Sequence, residues 1–158
     1  MRWALELIAI TFIPGLELRA SIPYGIIGTD VHWLTVFAVC VITNMLLGPM
    51  VYVSIRYCMG WLTRIKLINK IYNAYVIKTQ KRINAYIERY GEFGVAVFIG
   101  IPLPLSGSYS GALAAYLIGL KFRKFIVANI IGVLAAAIIV TAVTLTGSHI
   151  FNIFIRPV

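Results

Sequence analysis

Gly100-Ile-Pro-Leu-Pro-Leu-Ser-Gly-Ser-Tyr-Ser-Gly111 sits inside an apolar run over residues 93–120. Pro102 and Pro104 each remove a backbone donor and clash with the preceding turn, so no regular helix continues through them. The run therefore reads as two short arms, 93–101 and 111–120, around a break. Each arm rises roughly 15 Å at ~1.5 Å per residue, about half of a ~30 Å hydrocarbon core. Two half-length arms around a polar break predict a re-entrant hairpin with its tip near the membrane midplane. Broken backbone at that depth is tolerated only where protein or a wet cavity surrounds it. The rest of the chain is expected to enclose this tip.

The same pattern occurs earlier. Residues 5–13 are apolar except for Glu6 and Thr11, then Pro14-Gly-Leu-Glu-Leu-Arg-Ala-Ser-Ile-Pro23 interrupts, and a short arm over 24–28 follows. Segments 20–28 and 111–119 both end in Ile-Gly. Two repeats are expected, each a hairpin followed by one spanning helix. The expected units are a re-entrant hairpin over 1–30, a transmembrane helix over 33–56, an amphipathic interfacial helix over 64–91, a second hairpin over 93–120 and a last transmembrane helix over 123–147. Together they make one all-α polytopic membrane domain.

Composition points the same way. Of 158 residues, 61% are hydrophobic and 12% charged, which excludes an ordinary soluble domain. A cleaved signal peptide is a poor fit, because Glu6 follows Arg2 closely. Trp33 and Trp61 bracket the first spanning helix as interfacial anchors. Between 67 and 90, Ile and Tyr recur at three- and four-residue steps among Lys, Asn, Glu and Arg, the pattern of a helix lying on a membrane surface. The net charge of +9 is concentrated between Arg56 and Lys124. In a membrane protein such clusters face the cytoplasm rather than nucleic acid. Segments 56–92 and 121–124 lie on one side only if 93–120 is re-entrant. The two spanning helices then run in opposite directions, as in the inverted repeats common among secondary transporters.

The candidate chemistry lies in the breaks. Glu17 and Arg19 are the charges well inside a hydrophobic interruption, and intramembrane ionisable residues are functional candidates by default. The competing reading is a structural ion pair. Ser21, and Ser108 or Ser110, are candidate N-caps for the second arm of each hairpin. Two helix N-termini meeting beside Arg19 would attract phosphate or carboxylate. Pro23, Pro102, Pro104, Ser106 and Tyr109 complete the candidate substrate site, with Asn44 and Asn129 of the spanning helices as secondary members. For each Asn, helix–helix hydrogen bonding is the simpler role. Gly107-Ser-Tyr-Ser-Gly111 is no nucleophile elbow, because its centre is Tyr109. Its Gly-x-x-x-Gly spacing instead permits close backbone approach. His32 and His149 are isolated, Cys40 and Cys58 read as ordinary thiols, and no nucleotide loop or catalytic triad is present. No metal, cofactor or enzymatic activity is expected.

Glu17-Leu-Arg-Ala-Ser-Ile-Pro23, followed by Ile101-Pro-Leu-Pro-Leu-Ser-Gly and Gly111-Ala-Leu-Ala-Ala115, resembles the small multidrug export protein family. That family is distantly similar to the DedA membrane proteins. The resemblance implies two facing re-entrant hairpins with acidic and arginine residues at their tips. It also implies handling of an anionic lipid carrier such as a polyprenyl phosphate, with proton or sodium coupling. Glu17 corresponds to the acidic position of the first DedA hairpin. DedA proteins carry arginines around the proline of the second hairpin, whereas 101–107 has none here, leaving Arg19 as the candidate cation. The expected function is a flippase or secondary transporter in the plasma membrane. Efflux of small amphipathic compounds and a non-transporting membrane scaffold stand as alternatives. A homodimer is expected, because so few helices hardly enclose a cavity alone.

Overall fold

A computed structural model describes the backbone of residues 2–62, 90–102 and 106–155. The described residues form six helices and no strands. They are α1 (Arg2–Thr11), α2 (Glu17–Gly28), α3 (Trp33–Leu62), α4 (Glu92–Gly100), α5 (Ser108–Leu117) and α6 (Phe122–Ile155). The expected amphipathic helix over 64–91 lies almost wholly outside the described residues, as does Pro104.

Two helices have the length and composition to cross a membrane. Trp33–Met59 has a mean hydropathy of 2.0 and Phe122–Gly147 one of 2.6. Both exceed the ~20 residues that a hydrocarbon core requires. Their outer faces stay apolar: Leu46 is 61% exposed and Val143 67%. Contiguous apolar exposure of this kind suits lipid and would be an aggregation hazard in water. Both helices run past the expected ends. α3 continues beyond 56 to Leu62 and α6 beyond 147 to Ile155, since neither Arg56 nor Gly147 breaks a helix by itself.

The short helices pair as expected, with different boundaries. α4 and α5 flank the Pro102 break, but α5 begins at Ser108 rather than 111. In the first hairpin the break covers only residues 12–16. Hydrogen-bonded turns run from Ile13 N–H to Ile10 O (3.1 Å) and from Leu16 N–H to Ile13 O (3.2 Å), and Gly15 adopts φ 87°. α2 then starts at Glu17, so Ser21 and Pro23 lie inside it rather than in the break. Pro23, at the seventh position of α2, leaves the Arg19 carbonyl without its helical donor.

Packing crosses the two halves. α2 packs against α3 and equally against α6, while α5 packs chiefly against α3. The second arm of each hairpin is thus seated on the long helix of the other half. Leu7, Leu18, Ile22, Val36, Cys40, Ile99, Ala112, Phe125 and Val133 fill the buried core. Cys40 is buried, Cys58 is exposed and both are free thiols. At one end Tyr52 stacks on Phe125 with ring centres 4.9 Å apart, and its hydroxyl donates to Leu120 O at 2.7 Å.

The long helices meet at a second proline. Pro49 cannot donate to Met45 O, four residues back in α3. Asn129 Nδ2, from α6, donates to that carbonyl at 3.3 Å. Gly48 makes this approach feasible, because a Cβ there would overlap the Asn129 amide.

Candidate functional site where two hairpin tips meet

The tips of the two hairpins contact one another through reciprocal capping. Glu17 opens α2 with φ 47°, the left-handed region that costs an L-residue roughly 1–2 kcal/mol. That turn carries its carboxylate to the N-terminus of α5. Glu17 Oε2 accepts from Ser108 N–H at 2.9 Å, and Oε1 from Tyr109 N–H at 3.2 Å. Asn44 Nδ2, from α3, adds a third donor to Oε2 at 3.3 Å. The carboxylate is almost wholly enclosed, with Glu17 3% exposed. A negative charge at a helix N-terminus meets free N–H groups and the positive dipole end. These bonds account for a buried charge in an apolar setting. Gly107 is required by the closeness of the carboxylate, since a Cβ there would lie 2.5 Å from both carboxylate oxygens.

The first arms are capped at their C-terminal ends by the opposite hairpin. Arg19 Nη2 donates to Ile101 O, just past α4, at 3.0 Å, and to Ser106 Oγ at 3.0 Å. Ser106 Oγ also donates to Ile101 O at 2.7 Å. In the other direction, Tyr109 Oη donates to Phe12 O, just past α1, at 2.6 Å. Arg19 is half-buried, and its Nε and Nη1 are buried atoms without a partner among the described residues. Thr11 Oγ1 donates to Leu7 O at 2.7 Å. Ser21 Oγ lies 2.8 Å from it and donates to Glu17 O at 3.2 Å, tying α1 to α2 below the tip.

Several sequence expectations are corrected by this geometry. Ser21 is no N-cap: α2 starts four residues earlier, and its cap position, Leu16, offers no side-chain bond. Neither Ser108 nor Ser110 caps α5. The cap position is Gly107, and the capping group is the Glu17 carboxylate from another helix. The expected vacant anion site at the α5 N-terminus is therefore filled by the chain's own carboxylate. Glu17 and Arg19 do not form an ion pair; each is engaged with the second hairpin instead. Sequence spacing placed them two residues apart, but their turn and helix directions send them to different partners.

Glu17, Arg19, Ser106, Ser108, Tyr109 and Asn44 are brought together. Pro102 lines a separate groove, Pro23 and Ser21 lie along α2, and Asn129 serves the α3–α6 junction. That groove, of about 540 Å³, is apolar and runs between α4 and α6. Phe93, Val97, Ile101, Ile131 and Ile139 are among its walls. Ile101 is common to both features, because its carbonyl holds Arg19. Sequence reasoning missed the groove, whose walls combine residues some thirty positions apart. Thr11 stood out in the sequence only as a polar exception in the first arm, with no role assigned to it.

A family model described as "Putative small multi-drug export protein" matches residues 17–139. The matched segment opens on Glu17, the first residue of α2, and contains Arg19 and the break of the second hairpin. No curated protein and no solved structure matches the chain.

Proposed function

This chain belongs to the small multi-drug export protein family, and on that footing we propose that it is a secondary membrane transporter for amphipathic molecules bearing an anionic group. The observation that carries the reading is Arg19. Its guanidinium is half-buried between the hairpin tips, spends one nitrogen on Ile101 and Ser106, and leaves two donors open among the described residues. A cation in a low-dielectric setting attracts an anion far more strongly than one in water. The apolar groove at Ile101 suits the hydrophobic part of the same molecule. An anionic lipid carrier such as a polyprenyl phosphate and a small amphipathic export substrate share this chemistry.

The hairpins act as re-entrant segments within two inverted repeats. The crossed packing of α2 on α6 and α5 on α3 supports that arrangement, since it exchanges the equivalent helices of the two halves. Residues 56–92 and 121–124 face the cytoplasm, and two copies of the chain complete the translocation path. Glu17 is the coupling residue. Its carboxylate holds the second hairpin closed, and neutralising it weakens the bonds to Ser108 and Tyr109.

Transport by purified protein in liposomes tests the proposal. A panel of polyprenyl phosphates, amphipathic carboxylates and uncharged amphiphiles separates the substrate classes. Arg19→Ala is expected to abolish uptake of the anionic members, while Arg19→Lys retains part of it as a point charge without the planar fork. Full activity in Arg19→Ala at normal expression refutes the anion site and favours the membrane-scaffold alternative.

A further inference from the structure

Arg19 holds the break of the second hairpin through atoms that keep other partners. Its Nη2 donates to Ile101 O at 3.0 Å and to Ser106 Oγ at 3.0 Å, while Ser106 Oγ donates to the same carbonyl at 2.7 Å. The three atoms form a closed triangle. Two acceptors 2.7 Å apart cannot both lie in line with the hydrogens of one nitrogen, so at least one Arg19 bond is bent. Ile101 lies past the last residue of α4 and precedes Pro102, so its carbonyl takes no donor from that helix. Without Arg19, the shorter Ser106 bond still satisfies the carbonyl. Glu17 would lose no hydrogen bond either, since Ser108 N–H, Tyr109 N–H and Asn44 Nδ2 hold it. Arg19 itself is less well served. Its Nε and Nη1 are buried atoms with no partner among the described residues, although the residue as a whole is only half-buried. Buried donors without acceptors are costly. An anion arriving from outside the closed tip cannot reach those two nitrogens, so the guanidinium has to turn outward to meet it.

We propose that Ser106 is a positioning residue that lets Arg19 exchange between the hairpin break and the oxyanion of an amphipathic substrate. This step rests on the proposed function and adds how the anion site opens. In the resting state the guanidinium caps Ile101 O together with Ser106. When an alkyl phosphate or carboxylate arrives, Arg19 turns outward and presents a planar fork to two of its oxygens. Ser106 Oγ then keeps Ile101 O satisfied, so the exchange orphans no carbonyl in an apolar setting. Removing the hydroxyl makes Arg19 the remaining donor to Ile101 O among the described residues and ties it to the break. The hydroxyl, not the serine as such, is what the exchange needs, and threonine supplies the same group.

Thermal unfolding of the purified full chain in a non-ionic detergent tests the exchange. The wild type, Ser106→Ala and Ser106→Thr are titrated with decyl phosphate, and with decanol as the uncharged control. Decyl phosphate is expected to raise the wild-type midpoint in a saturable manner, and decanol is not. Ser106→Ala is expected to unfold at the wild-type midpoint without ligand, because Arg19 still reaches Ile101 O. Its half-saturating decyl phosphate concentration should rise roughly tenfold, the cost of orphaning a carbonyl. Ser106→Thr should bind as the wild type does. A Ser106→Ala variant that binds decyl phosphate as tightly as the wild type, or more tightly, overturns the exchange and leaves the anion site standing. So does a Ser106→Thr variant as weak as Ser106→Ala, since a role for the hydroxyl would then be excluded. A wild type that decyl phosphate and decanol stabilise equally overturns the anion site of the proposed function, and the exchange with it.

Discussion

Replacing Glu17 by Ala is the sharpest test of the closed hairpin junction. The first two amides of α5, Ser108 and Tyr109, have no helical partner to turn to and donate to this carboxylate at 2.9 and 3.2 Å. Hydrogen bonds to a charged group contribute about 1.5–3 kcal/mol each, and the loss of both leaves buried donors unsatisfied. The variant also relieves little of the strain at φ 47°, because Ala suffers there as Glu does. Taking about 3 kcal/mol for the pair, opening of the α5 N-terminus becomes roughly a hundredfold more frequent, at ~1.4 kcal/mol per factor of ten. Hydrogen exchange by mass spectrometry on the protein in nanodiscs reads this directly. Protection of peptides spanning residues 106–112 should collapse, while peptides within α6 keep theirs. Glu17→Gln should fall between, because one amide oxygen remains to accept and the charge is gone. Unchanged protection at Ser108 and Tyr109 in Glu17→Ala would refute the cross-hairpin cap.

Other perturbations follow from the same contacts. Gly107→Ala places a Cβ 2.5 Å from both carboxylate oxygens, so transport and thermal stability should both fall. Adding Glu17→Asp, which is one methylene shorter, should restore part of the stability in a melting assay. Tyr52→Phe keeps the stack on Phe125 but strips the Leu120 carbonyl of a 2.7 Å donor. A loss of about 1–3 kcal/mol, seen as a lower unfolding midpoint, is expected, and no change would mean that the carbonyl finds water. In oriented vesicles, cysteines at Lys78 and Lys124 should label from the cytoplasmic side together; labelling from opposite faces removes the re-entrant model.

Much of this architecture was legible in the residues because proline and hydropathy act locally. Pro102 had to end α4, and the apolar stretches from Trp33 and Phe122 had to be long helices, whatever they pack against. Pro23 misled for an equally physical reason. A proline in the middle of a short helix costs one hydrogen bond, and the packing of Leu18 and Ile22 in the core outweighs it here. Glu17 and Arg19 could be singled out as costly charges, but not their partners. Sequence proximity favours a mutual ion pair, whereas a left-handed residue at 17 aims the two side chains at a segment some ninety positions away. Nothing local to Glu17 encodes Ser108. Its one trace in the sequence is Gly107, the residue without the Cβ that would collide with it.

The junction of α3 and α6 has a consequence for biogenesis. The carbonyl of Met45, orphaned by Pro49, receives its donor from a residue 84 positions later. When α3 leaves the ribosome and partitions into the bilayer, that donor has not been synthesised. For this interval α3 carries an exposed polar defect in hydrocarbon, where an unpaired carbonyl costs several kcal/mol. The nascent helix must therefore stay near the insertion machinery, a chaperone or a water-filled interface until Asn129 arrives. Maturation of this junction thus waits for α6, and a ribosome stalled before residue 129 should leave α3 extractable and sensitive to protease.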